Sequence, residues 1–432
     1  MKFLVDKLLN NRGLEEVGSF LFLSGIFFLP STLFIGGIFL LPASLIGSFL
    51  KKKSYFKDPW NYAFLIFGSL ILLSAILQKF ILINKYELIW NPMLAIVGLG
   101  NWLPFIWFFW AFQAYLDTKS KRRLFALTLI AGSFPVILTG FGQYFFNWTG
   151  PFETLNGLII WYQRPIDPPG GLSGLFNHQN YAGSWLNLVW PYCLALFLEK
   201  KENFIKKSVA FSFLLSVGFS AFLTYSRNAW LGLCIALTIF LNKRFLVIIL
   251  SILFLSFFIF SYSYKGDLIN SIKGILPEKI FLEFAEDGYQ ELDFSRIEII
   301  TYAIELLKIN PFFGIGAGAF TPIFFSETNS WKGHSHNLFI ELSLSYGLPS
   351  ALIFLSIIST IIIFSGIKIF KNKRKSDKSI FDKASWAALF YFIFSQLFDI
   401  QYFDGKISII AWVLIASLKN IIEGTEEKTL SS

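Results

Sequence analysis

The chain has 432 residues, 55% hydrophobic and 19% aromatic, with only 15% charged. Soluble domains carry about 25% charged residues, so a soluble globular enzyme is excluded. The formal charge of +9 would suit nucleic acid, but the basic excess falls in short loops on one side of the expected membrane, which excludes that partner.

Apolar runs of 18 or more residues recur, and they do not alternate as barrel strands would. They predict an all-α, polytopic helical membrane protein. Lys2, Lys7, Arg12, Glu15 and Glu16 precede the first run, with no small-residue cleavage site after a short apolar core, so the N-terminus is expected to stay cytoplasmic. Val17 to Leu50 is too long for one span, and Pro30-Ser31 should break it into a two-helix hairpin. A third span is expected over Trp60 to Leu77. Gln78 to Gly100 is mixed and suits an interfacial helix. The aromatic-rich Trp102 to Leu116 forms a fourth span and Leu124 to Phe141 a fifth.

Residues 142–180 form an extracytoplasmic loop rich in Gly and Pro. Spans six and seven follow near Tyr181 to Leu198 and Ser208 to Thr224. The turn Tyr225-Ser226-Arg227-Asn228 leads to an eighth span ending at Lys243-Arg244, and a ninth reaches Tyr262. Cys193 and Cys234 fall inside spans and are expected to be free thiols. Residues 264–336 form a large periplasmic loop between spans nine and ten. Within it, Ser295 and Glu298 make a capping box for a short helix that Pro311 stops. The tenth span starts at Leu338 and should bend near Gly347-Leu348-Pro349. After the basic loop Lys368 to Lys383, two spans, near Trp386 to Leu397 and Ile407 to Leu418, complete about 12. The segments expected in the cytoplasm hold 26 of the 37 Lys and Arg residues, so both termini are expected there and the loops with all three histidines face outward. The whole chain, 1–432, reads as a single integral membrane domain.

His336 is the first candidate for chemistry. It stands where the large loop meets a span, where an imidazole can act as a base near neutral pH and a helix N-terminus favours an anion. His334 is a supporting residue. The two could form a zinc pair, but the sequence shows no third ligand nearby, so no metal is expected. Arg227 sits between apolar runs with no acid close in sequence, and its planar fork suits phosphate oxygens. Arg296 lies in the first turn of the capped helix, where a cation opposes the dipole, which suggests a partner anion. Arg164 is a weaker candidate. Gly314-Ile315-Gly316-Ala317-Gly318 follows a helix stop rather than a strand, so it reads as a tight turn rather than a dinucleotide loop.

Four stretches then carry a resemblance. They are Gly174 to Ala182, Ser226-Arg227-Asn228-Ala229-Trp230, Ser295-Arg296 through Asn310 to Gly316, and His336-Asn337 followed after nine residues by Gly347-Leu348-Pro349. In this order the chain resembles the O-antigen ligase and polymerase superfamily of bacterial membrane glycosyltransferases. The closing position, Ser350, departs from the ligase pattern's Gly, Thr or Tyr. Trp102-Leu103-Pro104 is similar to cyanobacterial members. The resemblance covers residues 172–364. It implies catalytic roles for His336, Arg227 and Arg296, and Arg164, His334, Asn337, Trp161 and Tyr162 are the expected substrate contacts beside them. It also implies an inner-membrane enzyme without metal, nucleotide or other cofactor. Such an enzyme moves a glycan from an undecaprenyl-diphosphate carrier to a lipid A core or a growing glycan, among membrane lipids. Ligase and polymerase are not separated by the sequence. A membrane transporter, like relatives linked to bicarbonate uptake, is the alternative.

Overall fold

A computed structural model describes residues 11–80, 89–166, 170–200, 203–241, 294–371 and 380–424. The expected ninth span, the Lys243-Arg244 pair and the large loop up to residue 293 lie outside the described residues. The chain divides into two compact units, Met1–Gly132 with Phe294–Ser432, and Ser133–Asp293.

The first unit opens with α1 (Asn11–Phe28) and α2 (Leu33–Lys51). Their turn falls at Pro30-Ser31 as expected, and Thr32 caps α2 by accepting from the Ile35 N–H. A 3₁₀ turn, Lys52–Lys57, leads to α3 (Pro59–Phe80). The described part of the mixed segment holds the end of α3, the short α4 (Met93–Val97) and the start of the 3₁₀ residues Gly98–Asn101, and α5 (Leu103–Phe112) follows. α6 (Lys119–Gly132) ends this part of the unit. The expected fifth span is two helices, because Ser133 and Pro135 separate α6 from α7 (Phe134–Phe146), with Pro135 in the first turn of α7 where its missing N–H costs nothing.

After α7 the second unit contains a hairpin, β1 (Phe152–Thr154) and β2 (Ile159–Trp161), inside the stretch expected to be loop. Three helices follow: α8 (Gln179–Leu198), α9 (Phe204–Leu223) and α10 (Arg227–Phe240). α8 is buried from Ala182 to Ala195 and packs between α9 and α10. Cys193 and Cys234 are free thiols.

The first unit resumes with α11 (Arg296–Leu307), α12 (Phe320–Thr328), α13 (Leu338–Tyr346), α14 (Leu348–Lys371), α15 (Ile380–Ser395) and α16 (Gly405–Glu423). α16 is its central helix, buried from Lys406 to Ile421. Trp412 at its middle meets Phe64, Phe105, Phe109 and Phe354 ring to ring. Such contacts add to area burial by about 0.5–1.5 kcal/mol each.

Charge separates the two ends of α16. At its C-terminal end Lys419 pairs with Asp58 and Glu423 and donates to Gln113 Oε1. The segments expected in the cytoplasm also hold a fork between Arg122 and Asp382 (2.6 and 3.1 Å) and the pairing of Lys121 with Glu15 and Asp117. At the N-terminal end, about 20 Å away at 1.5 Å per residue, Lys406 donates to the Pro30 carbonyl of the first hairpin.

Seven helical stretches among the described residues are long and apolar enough to cross a membrane. The chain is thus a polytopic all-α membrane protein, and these helices do not fix the expected twelve spans.

Candidate active site

The break after α13 sets the site's frame. Gly347 has φ +90°, and a Cβ there would run into the Phe312 carbonyl. That absence lets Leu348 N–H reach Pro311 O at 2.8 Å and Ile315 N–H reach Leu344 O at 2.7 Å. The glycine-rich stretch Gly314–Gly318 is therefore a turn packed on the α13–α14 break, as its sequence setting suggested.

At the other end of α13, Asn337 is the N-cap. Its Oδ1 accepts from the Phe339 and Ile340 N–H groups at 3.0 and 3.1 Å, and its Nδ2 donates to Leu397 O at 3.1 Å. Leu338 N–H donates to Gln396 O at 2.9 Å. These bonds bring the α15–α16 connection against the segment that carries the histidines. Glu341, one turn into α13, accepts from Ser335 N–H at 2.9 Å and fixes that segment from behind. His336 itself is held at φ +56°, a left-handed conformation a non-glycine residue adopts at a cost, and one that recurs at functional sites.

The connection delivers Asp399, which the sequence reading did not single out. Its Oδ1 lies 3.0 Å from His336 Nδ1 and 3.8 Å from His334 Nε2. Ile400 N–H donates to Oδ1 at 3.1 Å and Gln401 Nε2 to Oδ2 at 2.9 Å. Gln396 holds Gln401 in turn, accepting from its N–H and donating to its Oε1, both at 3.0 Å. Burial pushes the Asp399 carboxyl up, but the His336 hydrogen bond and the neighbouring His334 and Arg296 outweigh it and hold it well below the usual carboxylate range. An ionised carboxylate only accepts, so the proton of neutral His336 is assigned to Nδ1 and the lone pair to Nε2. The His336 ring is 23% exposed, which leaves it open to a substrate.

His334 is fixed differently. Its Nδ1 accepts from the His336 N–H at 3.1 Å, so its own proton is assigned to Nε2, on the side of Asp399. Burial lowers this imidazole to about 4, with Asp399 pulling it up and His336 and Arg296 pushing it further down. It is neutral near pH 7. The Arg296 guanidinium is thus close enough for its charge to act on both His334 and Asp399. Arg296 starts α11 behind the expected capping box, with Ser295 N–H donating to Glu298 at 2.7 Å.

His334, His336 and Asp399 have ligand atoms within 4.8 Å of one another. Asp399 is thus a possible third ligand, brought beside the two histidines by the fold rather than by nearness in sequence. The hydrogen bonds favour a proton network over a metal site. Ligation through His334 Nε2 would require moving its proton to Nδ1, which already accepts a backbone N–H.

Arg227 lies in the second unit, exposed in the first turn of α10 behind Ser226. Ala229 O accepts from Asn187 Nδ2 at 2.9 Å, joining α10 to α8. In the same unit Leu172 N–H donates to Leu223 O at 2.9 Å, so the 171–180 loop and the Arg227 turn are neighbours. Arg164 is exposed, and its carbonyl accepts from Gln143 at 2.6 Å. Trp161 ends β2 and Tyr162 follows it. Arg296, His334, His336 and Asn337 come together in the first unit, whereas Arg227, Arg164, Trp161 and Tyr162 belong to the second.

Fold and site together define a polytopic membrane protein with a carboxylate-oriented histidine at the end of its bundle. Residues 210–355 match the family model described as O-antigen ligase. That match supports the O-antigen ligase/polymerase superfamily and a function of that family. It contains Arg227, Arg296, His334, His336 and Asn337, and leaves out Asp399. It lends nothing to the transport alternative. No curated protein matches the chain.

Proposed function

We propose that the protein is a glycosyltransferase that moves a glycan from an undecaprenyl-diphosphate carrier to a sugar hydroxyl on the extracytoplasmic side of the inner membrane. The acceptor is a lipid A core or a growing glycan. The single observation that carries this reading is the 3.0 Å contact of His336 Nδ1 with buried Asp399. It orients the imidazole so that Nε2 meets the substrate as a base, and the carboxylate steadies the imidazolium that forms.

In the step proposed, His336 Nε2 takes the acceptor hydroxyl's proton while that oxygen attacks the anomeric carbon. The bond from that carbon to the diphosphate oxygen breaks, and the departing undecaprenyl diphosphate keeps the electron pair. Arg296 holds its phosphate oxygens by fork-shaped hydrogen bonds, the charge compensation that metal ions provide in other transferases. For Arg227, in the second unit, a phosphate-holding role is what the resemblance implies. Trp331, exposed three residues before His334, offers an aromatic face to a sugar.

The test is transfer by purified protein given labelled undecaprenyl-diphosphate glycan, with and without a lipid A core acceptor, in EDTA. The expected result is product with wild type and a loss of about 10²–10⁴-fold with His336→Ala. Transfer at the wild-type rate by His336→Ala, or a strict need for added metal, would refute the reading. Product formed only with the lipid A core identifies a ligase, and product formed from donor alone a polymerase.

A further inference from the structure

No step of the proposed transfer uses the β1–β2 hairpin of the second unit, yet its surface is unusual. α7 carries Phe134, Leu138, Phe141 and Phe145 along one stripe, four, three and four residues apart. Phe134, Leu138 and Phe145 are exposed, and the stretch Lys119–Phe146 is apolar enough to cross a membrane. The stripe therefore faces lipid. It ends at exposed Phe146, where Asn147 turns the chain with φ +53°.

The hairpin is fixed to the last turns of that helix. Trp148 folds back so that its ring lies against Gly142, where a Cβ would leave no room, with its centroid 6.3 Å from that of Phe146. Gly150 N–H donates to Gln163 O at 2.8 Å and closes the hairpin's base. Gln163 Nε2 donates to Thr139 O at 3.3 Å. Phe152 then stands directly across from Trp161 on one face. Leu155 and Leu158 flank the Asn156-Gly157 tip. Phe152 is 49%, Leu155 62%, Leu158 54% and Trp161 38% exposed. Between Asn147 and Gln163 the only charged residue is Glu153.

In water this arrangement is unfavourable. A lone two-stranded hairpin is marginally stable, and an exposed apolar strand pair invites aggregation. At the level of lipid headgroups the same residues are favourable. Burial gains about 25 cal/mol per Å² of apolar surface, tryptophan and its neighbours suit that depth, and open strand edges still find water and headgroup partners there. We infer that the hairpin, residues 150–163, is a membrane-interface anchor: its Phe152–Trp161 face and Leu155–Leu158 tip enter the headgroup layer of the leaflet at which α7 ends. The occupant of this face is the bilayer that the stretch Lys119–Phe146, which ends with α7, is long and apolar enough to cross. The inference does not depend on the transfer reaction.

The experiment labels Leu158→Cys with an environment-sensitive nitrobenzoxadiazole dye in phospholipid nanodiscs. Wild-type protein, with Cys193 and Cys234, is treated in parallel for subtraction, and Phe152→Cys gives a second position. The expected result at both positions is blue-shifted emission relative to the free dye adduct, quenching by shallow doxyl-labelled lipid, and several-fold weaker quenching by aqueous iodide. Iodide quenching equal to that of the free adduct would overturn the inference. So would a label reached by neither quencher, which would mean that protein covers the hairpin.

Discussion

Between His334 and His336 one residue of separation produces opposite roles. His336 Nδ1 faces the Asp399 carboxylate and leaves Nε2 free, whereas His334 Nδ1 is occupied by the His336 N–H. The sequence identified both histidines but not their carboxylate, because Asp399 lies 63 residues beyond His336 and no local pattern marks it. The buried neutral state of His334 also makes stability depend on pH. Its imidazole falls from the ordinary 6.5 to about 4 on folding, so between those values the unfolded chain binds the extra proton and acid favours unfolding. Asp399 acts in a lower window, its contribution being present above the ordinary carboxylate range and lost as pH falls through its depressed folded value. Thermal unfolding in detergent should therefore show the wild type losing up to about 3 kcal/mol between pH 6.5 and 4, with a shallower loss for His334→Gln. Parallel curves for the two proteins would contradict the assignment.

Most helices were legible because their signals are local. Pro30-Ser31 broke the first apolar run, Ser295 and Glu298 formed their capping box, and Gly347 ended α13. Two of the missed features differ in cause. The Ser133 interruption lies inside one continuous apolar run. The β1–β2 hairpin carried a usable signal, Asn156-Gly157 between apolar flanks, hidden in a loop otherwise marked by Gly and Pro. At Gly347 the reason for glycine is now concrete, since φ is +90° and the Phe312 carbonyl occupies the Cβ position. Gly347→Ala should cost more than about 1 kcal/mol. Gly37→Ala, in α2 with open space at its Cβ, should be neutral or slightly stabilising. The comparison of the two midpoints checks this, and equal midpoints would show that the α13–α14 break tolerates a side chain.

Across the whole molecule, charge and chemistry occupy different ends of the first unit. The pairs of Arg122 with Asp382 and of Lys419 with Asp58 tie down segments that the basic-residue count assigned to the cytoplasm. Breaking one such buried pair by removing a partner typically costs about 3–5 kcal/mol. The histidines lie beyond the opposite end of α16, where Asp399 precedes its N-terminus by six residues. Composition could reveal the membrane, because that follows from a sum over many residues, and the expected sidedness rests on a sum of the same kind. It could not reveal the hydrogen-bonded Gln396–Gln401–Asp399–His336 chain, which exists only after the α15–α16 connection meets the segment before α13.

The central claim is that Asp399 orients His336 as the base of glycan transfer. Steady-state kinetics of Asp399→Asn on the labelled donor test it most directly. The account predicts a fall in kcat of about 10²–10⁴-fold with KM for the donor little changed, in a protein that still folds. Wild-type kcat in that variant would contradict it.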